Sequence, residues 1–240
     1  MLKAFADSLL NILYPQICRV CGGGVESYHD GIACAGCWSD THLFKGDETL
    51  CTKCGAFLGD GLRRSEKQCG DCTDHFYTLA RAAGAYGRAL AAAVIELKVR
   101  PAVSRRVRTE LIDAFERTAF PTIDMILPSP LAKARLLERG FNQAELLADV
   151  IAGHVGIKTD KDVLFRRTHT PKHRAGMDAK AREATVINAF GVSDDAAVRG
   201  KNILLIDDVL TTGATASHCA KALKNRGAGE VYVFTLARAL

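Results

Sequence analysis

The chain has 240 residues, 48% of them hydrophobic, which suits one core domain plus a small module and excludes a disordered protein. Its 32 basic and 27 acidic residues leave a formal charge of +5 and a pI near 8.7, a mild bias toward anionic ligands that does not demand nucleic acid. No segment reaches the roughly 18 to 20 uninterrupted apolar residues of a membrane-spanning helix, so no membrane insertion is expected.

At the N-terminus Lys3 leads into apolar residues, but Asp7, Ser8 and Asn11 interrupt them and no small-residue cleavage pattern follows. That argues against a targeting signal, and the chain is read as cytoplasmic. Leu2, Phe5, Leu9, Ile12 and Leu13 fall on one helical face, expected to pack on the protein's own core.

Eight of the nine cysteines form four CxxC pairs: Cys18/Cys21, Cys34/Cys37, Cys51/Cys54 and Cys69/Cys72. Each pair holds two thiolates on a tight knuckle, and two pairs complete the tetrahedral sulfur shell that Zn²⁺ prefers. Gly22 and Gly55 follow their knuckles directly, where a flexible backbone eases the turn. Twelve residues separate the first two pairs and fourteen the last two, the pattern of a duplicated zinc ribbon with two structural ions. A cross-braced arrangement, with the first and third pairs sharing one ion, fits the same residues, and spacing leaves the pairing open. Disulfides would need an oxidising compartment for which there is no signal. Closed Cys₄ shells offer no open coordination position, so no catalysis is assigned to the metal. Cys219 stands apart as a core residue of the last helix.

A composition change near residues 73 to 80 marks the start of a second unit, giving an N-terminal helix and zinc module over 1–78 and a larger domain over 79–240. Ala80–Leu97 reads as a strand-to-helix entry and Ser104–Phe120 as a helix. A short strand is expected at Ile123–Leu127, broken by Pro128-Ser129-Pro130. Asn142 and Glu145 have capping-box spacing, so a helix is predicted from Gln143 to about His154. Strands follow around Val163–Phe165, at Ile203–Ile206 and around Val231–Thr235. Alternating strands and helices imply an α/β fold with a mostly parallel sheet and helices on both faces.

The most informative run is Ile203 to Thr215, where four apolar residues lead into Asp207 and Asp208 and then a small, hydroxyl-rich turn. The apolar tetrapeptide suits a strand buried on both faces, and the next helix is expected from near Thr215 to near Gly227. Ligands of open α/β sheets bind outside the carboxyl ends of such strands. Adjacent acids there can accept hydrogen bonds from vicinal ribose hydroxyls. Thr211, Thr212, Gly213, Ala214 and Thr215 offer small side chains, backbone N–H groups and a helix N-terminus to a phosphate. Both halves of a ribose 5-phosphate are accounted for.

This run resembles the phosphoribosyl pyrophosphate (PRPP) loop of type I phosphoribosyltransferases. More narrowly, the run, Arg139-Gly140-Phe141-Asn142-Gln143-Ala144 and the closing Leu236-Ala237-Arg238 resemble ComF-family proteins, which join a cysteine-rich N-terminal part to a phosphoribosyltransferase-like domain. The resemblance implies a type I phosphoribosyltransferase-like fold that binds Mg²⁺-PRPP. Asp207 and Asp208 would orient the ribose and support charge at C1. Residues 211–215 would hold the 5-phosphate. Pro128–Ala134 would sit at the pyrophosphate loop, with Arg135 and Arg139 at its exit. The basic segment Arg166–Arg182 corresponds to a flexible hood, although His173 and Thr185 stand where the family pattern has Gln and Asn. Lys98 matches a family lysine and equally suits a helix C-terminus.

Two classes of function follow. One is transfer of ribose 5-phosphate from PRPP to an acceptor that no sequence feature identifies, in a protein suspected to act in natural competence and DNA uptake. The other is a non-catalytic PRPP sensor or an accessory handling single-stranded DNA beside the competence machinery, with Trp38, Phe44, Phe57 or Tyr77 available for base stacking. Eight acids between Glu26 and Asp71 weaken the electrostatic case for DNA at the zinc module.

Overall fold

A computed structural model describes residues 14–27, 31–59, 68–167 and 189–240. The N-terminal helical face and the hood segment from Thr168, with His173 and Thr185, lie outside the described residues. The strands are β1 (Leu79–Ala85), β2 (Met125–Pro128), β3 (Leu164–Arg166), β4 (Phe190–Val192), β5 (Ile203–Leu210) and β6 (Val231–Arg238). The helices are α1 (Ala35–Ser39), α2 (Arg88–Glu96), α3 (Arg105–Thr118), α4 (Lys133–Arg139), α5 (Gln143–Val155), α6 (Asp195–Val198) and α7 (Ala214–Lys224).

The main sheet has the order β1-β6-β5-β2, every pair parallel, while β3 and β4 form a separate antiparallel pair. Side chains alternate across β5, so its apolar residues feed two cores. Leu204 and Ile206 pack with Leu90, Leu111, Leu147 and Phe234 on the face covered by α2, α3 and α5. Ile203 and Leu205 pack with Val233, Ala216, Cys219 and Leu223 on the face covered by α7. Each large aliphatic fully buried this way stabilises the fold by about 1.5–3 kcal/mol.

Helix ends follow local chemistry. Ser104 Oγ accepts from Val107 N at 3.3 Å to start α3, and Asn142 Oδ1 accepts from Ala144 N at 3.1 Å to start α5. Several boundaries differ from the sequence expectation, three of them near the candidate site. The strand expected at Ile123–Leu127 lies at Met125–Pro128, because Asp124 is held outside the ladder by exchanging bonds with Asn202. Pro128 is tolerated at the end of this edge strand. The strand expected at Ile203–Ile206 continues through both acids to Leu210, since β6 runs equally far and pairs Val209 with Ala237 and Leu210 with Arg238. Helix α4 begins inside the stretch expected as the pyrophosphate loop.

The cysteine-rich segment covers the free edge of β1, as an exposed edge requires. Leu43 bridges Gly84, Phe44 N donates to Ala83 O, and Ala80 N donates to Lys53 O. Gly84 has to be glycine here, because a Cβ would stand 2.4 Å from His42 O. No helix among the described residues is long and apolar enough to cross a membrane.

Candidate functional site

The cysteines fall into two groups of four, Cys18/Cys21/Cys34/Cys37 and Cys51/Cys54/Cys69/Cys72, with the sulfurs of each group within 4.8 Å of one another. The sequential pairing therefore holds, and the cross-braced one does not. Four sulfurs at about 2.3 Å from one ion stand about 3.8 Å apart. Observed separations of 3.8 Å for Cys21–Cys34, 3.6 Å for Cys51–Cys72 and 3.3 Å for Cys54–Cys69 suit such a shell, and no disulfide is present among these residues.

The donor chemistry also fits. Burial raises the Cys51 thiol, but N–H groups of Cys54 and Cys69 aimed at its sulfur outweigh this and bring it down to about 6. Cys37 goes the other way, pushed up to about 12 by burial and by the neighbouring thiols. Such crowding of sulfurs is what a divalent ion relieves, so both groups can hold Zn²⁺. Gly22 and Gly55 have φ of +75° and +67°, as the knuckle turns require.

Asp207 and Asp208 lie within β5, and strand alternation sends them to opposite faces of the sheet. Asp208 is buried toward α2. Its Oδ2 is 3.4 Å from Lys98 Nζ, an ion pair, yet it accepts no hydrogen bond among the described residues. Lys98, which also suited a helix C-terminus in the sequence, thus reaches an acid of the ribose-type motif. Asp207 lies toward α7, near the Cys219 thiol and Ser129. Burial and the Asp208 charge push Asp207 up to about 7.

Beyond Leu210 the chain turns through Thr211–Gly213 into α7. Gly213 is the N-cap with φ +81° and, among the described residues, no capping side chain; a long 3.4 Å contact runs from Ala214 N to Thr212 Oγ1. Thr211, Thr212, Ala214 and Thr215 are exposed, so backbone and hydroxyl donors of this helix start face outward. A Cβ on Gly213 would stand 2.8 Å from both His75 Cε1 and Tyr77 Oη, which pack under the turn.

Arg135 is exposed on α4, and Arg139 Nη1 donates to Gln143 Oε1 at 2.8 Å. Neither forms an ion pair with Asp207 or Asp208 among the described residues. The stretch 139–144 works as a joint. Gly140 ends α4 with φ +78°, Asn142 caps α5, and Asn142 Nδ2 donates to Ser129 O at 3.0 Å. Ser129 N in turn donates to Ile206 O at 2.7 Å. Ser129 was not singled out from the sequence, although its place between two prolines at a strand end was a visible signal. Arg238 was seen only as part of a closing motif. It is buried, and its guanidinium donates to the carbonyls of Leu210, Thr211 and Ala239. The signal was a lone arginine ending an apolar run.

The aromatic residues offered for base stacking serve the core instead. Trp38, Phe44 and Tyr77 are 3%, 5% and 1% exposed, and Phe57 packs edge-on against His42. The Cys-rich segment is too small to form a core without them.

Residues 9–73 match the double zinc ribbon domain family, and residues 137–240 match the phosphoribosyl transferase domain family. The DNA utilization protein YhgH of Salmonella typhi is 30% identical over 236 residues, covering 94% of this chain and 98% of that protein. Competence protein F of Haemophilus influenzae is 27% identical over 231 residues, covering 92% and 96%. Competence protein ComFC of Bacillus subtilis is 33% identical over 142 residues, 54% of each chain. Among solved structures, a glutamine PRPP amidotransferase from B. subtilis is 19% identical with a TM-score of 0.41 over 58% of this chain, which spans 30% of that one. With full-length similarity to YhgH, two four-cysteine groups and a parallel sheet carrying the acid pair and helix-start turn, this chain belongs to the ComF/YhgH family, a phosphoribosyltransferase-type domain preceded by a double zinc ribbon.

Proposed function

We propose that the protein binds PRPP, or another ribose 5-phosphate compound, with Mg²⁺ at the carboxyl end of β5, and transfers the ribose 5-phosphate to an acceptor. The observation that carries this reading is the continuity of one segment: an acid pair in β5 with Asp207 half-buried and Asp208 buried, then a turn without a side-chain cap among the described residues, then the start of α7. The 5-phosphate would lie on residues 211–215, a largely exposed turn that offers helix-start N–H groups and threonine hydroxyls. Asp208 Oδ2 is a buried acceptor that receives no hydrogen bond among the described residues, and a ribose hydroxyl would supply one. Lys98 orients that carboxylate. Positive charge developing at C1 is stabilised by carboxylates fixed in advance. Mg²⁺ bound with PRPP would neutralise the pyrophosphate charge, and carboxylate and phosphate oxygens are the hard donors it takes. Arg135 and Arg139 would reach the leaving pyrophosphate from α4. Reduced cysteines suit action in the cytoplasm.

The test is a calorimetric titration with PRPP and Mg²⁺, followed in the same sample for pyrophosphate release. Saturable binding with release on adding a nucleophile supports the transferase. Binding without release supports a sensor, and no binding overturns the site.

A second reading, handling of single-stranded DNA, has one observation of its own. Phe76 and Phe165 are exposed, Lys221 Nζ stands 4.6 Å from the Phe76 ring and Arg167 5.7 Å from the Phe165 ring. Aromatic faces beside cations are what stacked bases and phosphates require. The names of the YhgH and competence relatives agree with a DNA-related role. Affinity that falls steeply with salt favours this reading.

A further inference from the structure

The two cysteine groups sit on opposite sides of the sheet and differ in what they touch. Cys18 and Cys37 pack with Trp38 and the apolar face of α2. Cys51, Cys54 and Cys72 pack with Tyr77, Leu210 and α7, the elements that carry the phosphate-type turn. Four thiolates around one divalent ion leave a net negative charge, and two guanidinium groups flank the second set. Arg81 donates to Cys51 O and Thr52 O at 3.3 and 3.1 Å. Arg238 Nη2 lies 3.9 Å from Cys54 Sγ.

Arg238 is the link. While Nη2 faces the thiolate, Nη1 donates to Leu210 O at 2.9 Å, to Thr211 O and to Ala239 O. The guanidinium fork holds both geometries at once, which a lysine cannot do. The chain leaving the second group adds further contacts. His75 N donates to Cys72 O, Phe76 N donates to Ser217 Oγ at 3.1 Å, and the His75–Tyr77 pair, 2.6 Å apart, lies under Gly213. The turn is therefore clamped from below by residues that contact the second cysteine group or lead directly out of it, and among the described residues the first group makes none of these contacts.

We infer that the second four-cysteine centre, acting through Arg238 as a positioning residue, sets the conformation of the 210–215 turn, so that metal loading there and ligand binding at the turn are coupled. The coupling is reciprocal, as any linkage is: a ligand on the turn strengthens retention of the second ion and leaves the first unaffected. The ligand arm rests on the phosphoribosyl reading above.

The experiment uses the full zinc-loaded chain as parent, Cys69→Ser, Cys21→Ser and Arg238→Gln. Zinc content, Mg²⁺-PRPP affinity by calorimetry, and amide hydrogen exchange over 210–215 are measured for each. Cys69→Ser and Arg238→Gln should speed exchange in the turn and weaken PRPP by about tenfold, the loss expected for a charge-assisted hydrogen bond. Cys21→Ser, which loses a comparable share of zinc, should leave both within about twofold. In Cys21→Ser protein, where the second centre remains, PRPP should slow zinc loss to a chelator, and adding Arg238→Gln should abolish that protection. If Cys69→Ser does not fold, Arg238→Gln, with both centres intact, carries the same expectation. Equal effects of Cys21→Ser and Cys69→Ser, or unchanged turn exchange in Arg238→Gln, overturn the inference. A parent that fails to bind PRPP overturns the phosphoribosyl reading alone, because turn exchange still decides the coupling.

Discussion

Lys98 Nζ lies 3.4 Å from Asp208 Oδ2, joining the end of α2 to the acid pair of β5. Asp208 is the more buried partner, so Lys98 supplies the cation that its carboxylate needs away from water. Lys98→Met should destabilise the fold by about 1 kcal/mol, discounted because the lysine is partly solvated. The double variant with Asp208→Asn should cost less than the sum of the two single changes. Denaturant titration of the four proteins checks this, and additive costs would sever the pair.

Asp207 gives a pH signature. Burial and the Asp208 charge push it up to about 7, whereas an aspartate in the unfolded chain titrates near about 3.9. Between those values the folded state holds a proton that the unfolded state has released, so this group's contribution to stability falls as pH rises through the window. Mg²⁺-PRPP should bind the carboxylate form and therefore strengthen as pH rises through about 7. Asp207→Asn should flatten both trends. Thermal midpoints and calorimetric affinities at about pH 5, 6, 7 and 8 test it, and a variant with the parent's slopes refutes the assignment.

Gly213 has φ +81° and no room for a Cβ above His75 and Tyr77. Gly213→Ala should cost about 1–3 kcal/mol and reshape the turn. Thr212→Val keeps the backbone but removes an exposed hydroxyl, so it should leave stability within about 0.5 kcal/mol. Both should weaken ribose 5-phosphate and PRPP alike in calorimetry. Unchanged affinity in both variants would show that the turn does not hold the phosphate.

Metal content separates the cysteines by role. Purified under reducing conditions, the protein should carry about two Zn²⁺ per chain, measured by elemental analysis. Cys51→Ser should lower that toward about one and loosen the module. Cys219→Ser should leave it unchanged, because Cys219 lies within α7, buried against the sheet and apart from both sulfur groups. Zinc near zero, with the cysteines paired as disulfides, would refute the centres.

The sequence by itself determined the elements whose causes are local. CxxC knuckles with glycines after them, the capping residues Ser104 and Asn142, and the apolar run leading into Asp207 and Asp208 each carry their chemistry within a few neighbours, so fold class and candidate site were legible. The tertiary structure decided what depends on partners far along the chain. The strand of the acids runs on to Leu210 because β6 pairs with it that far. The same extension puts the two carboxylates on opposite faces, one toward Lys98 and one toward Ser129. Spacing fits either zinc pairing, and only the folded chain shows that neighbouring CxxC pairs come together. Arg238 finds its place in the same way: burial forces each donor of a guanidinium to seek an acceptor, and those acceptors come from the turn after β5 and from Cys54.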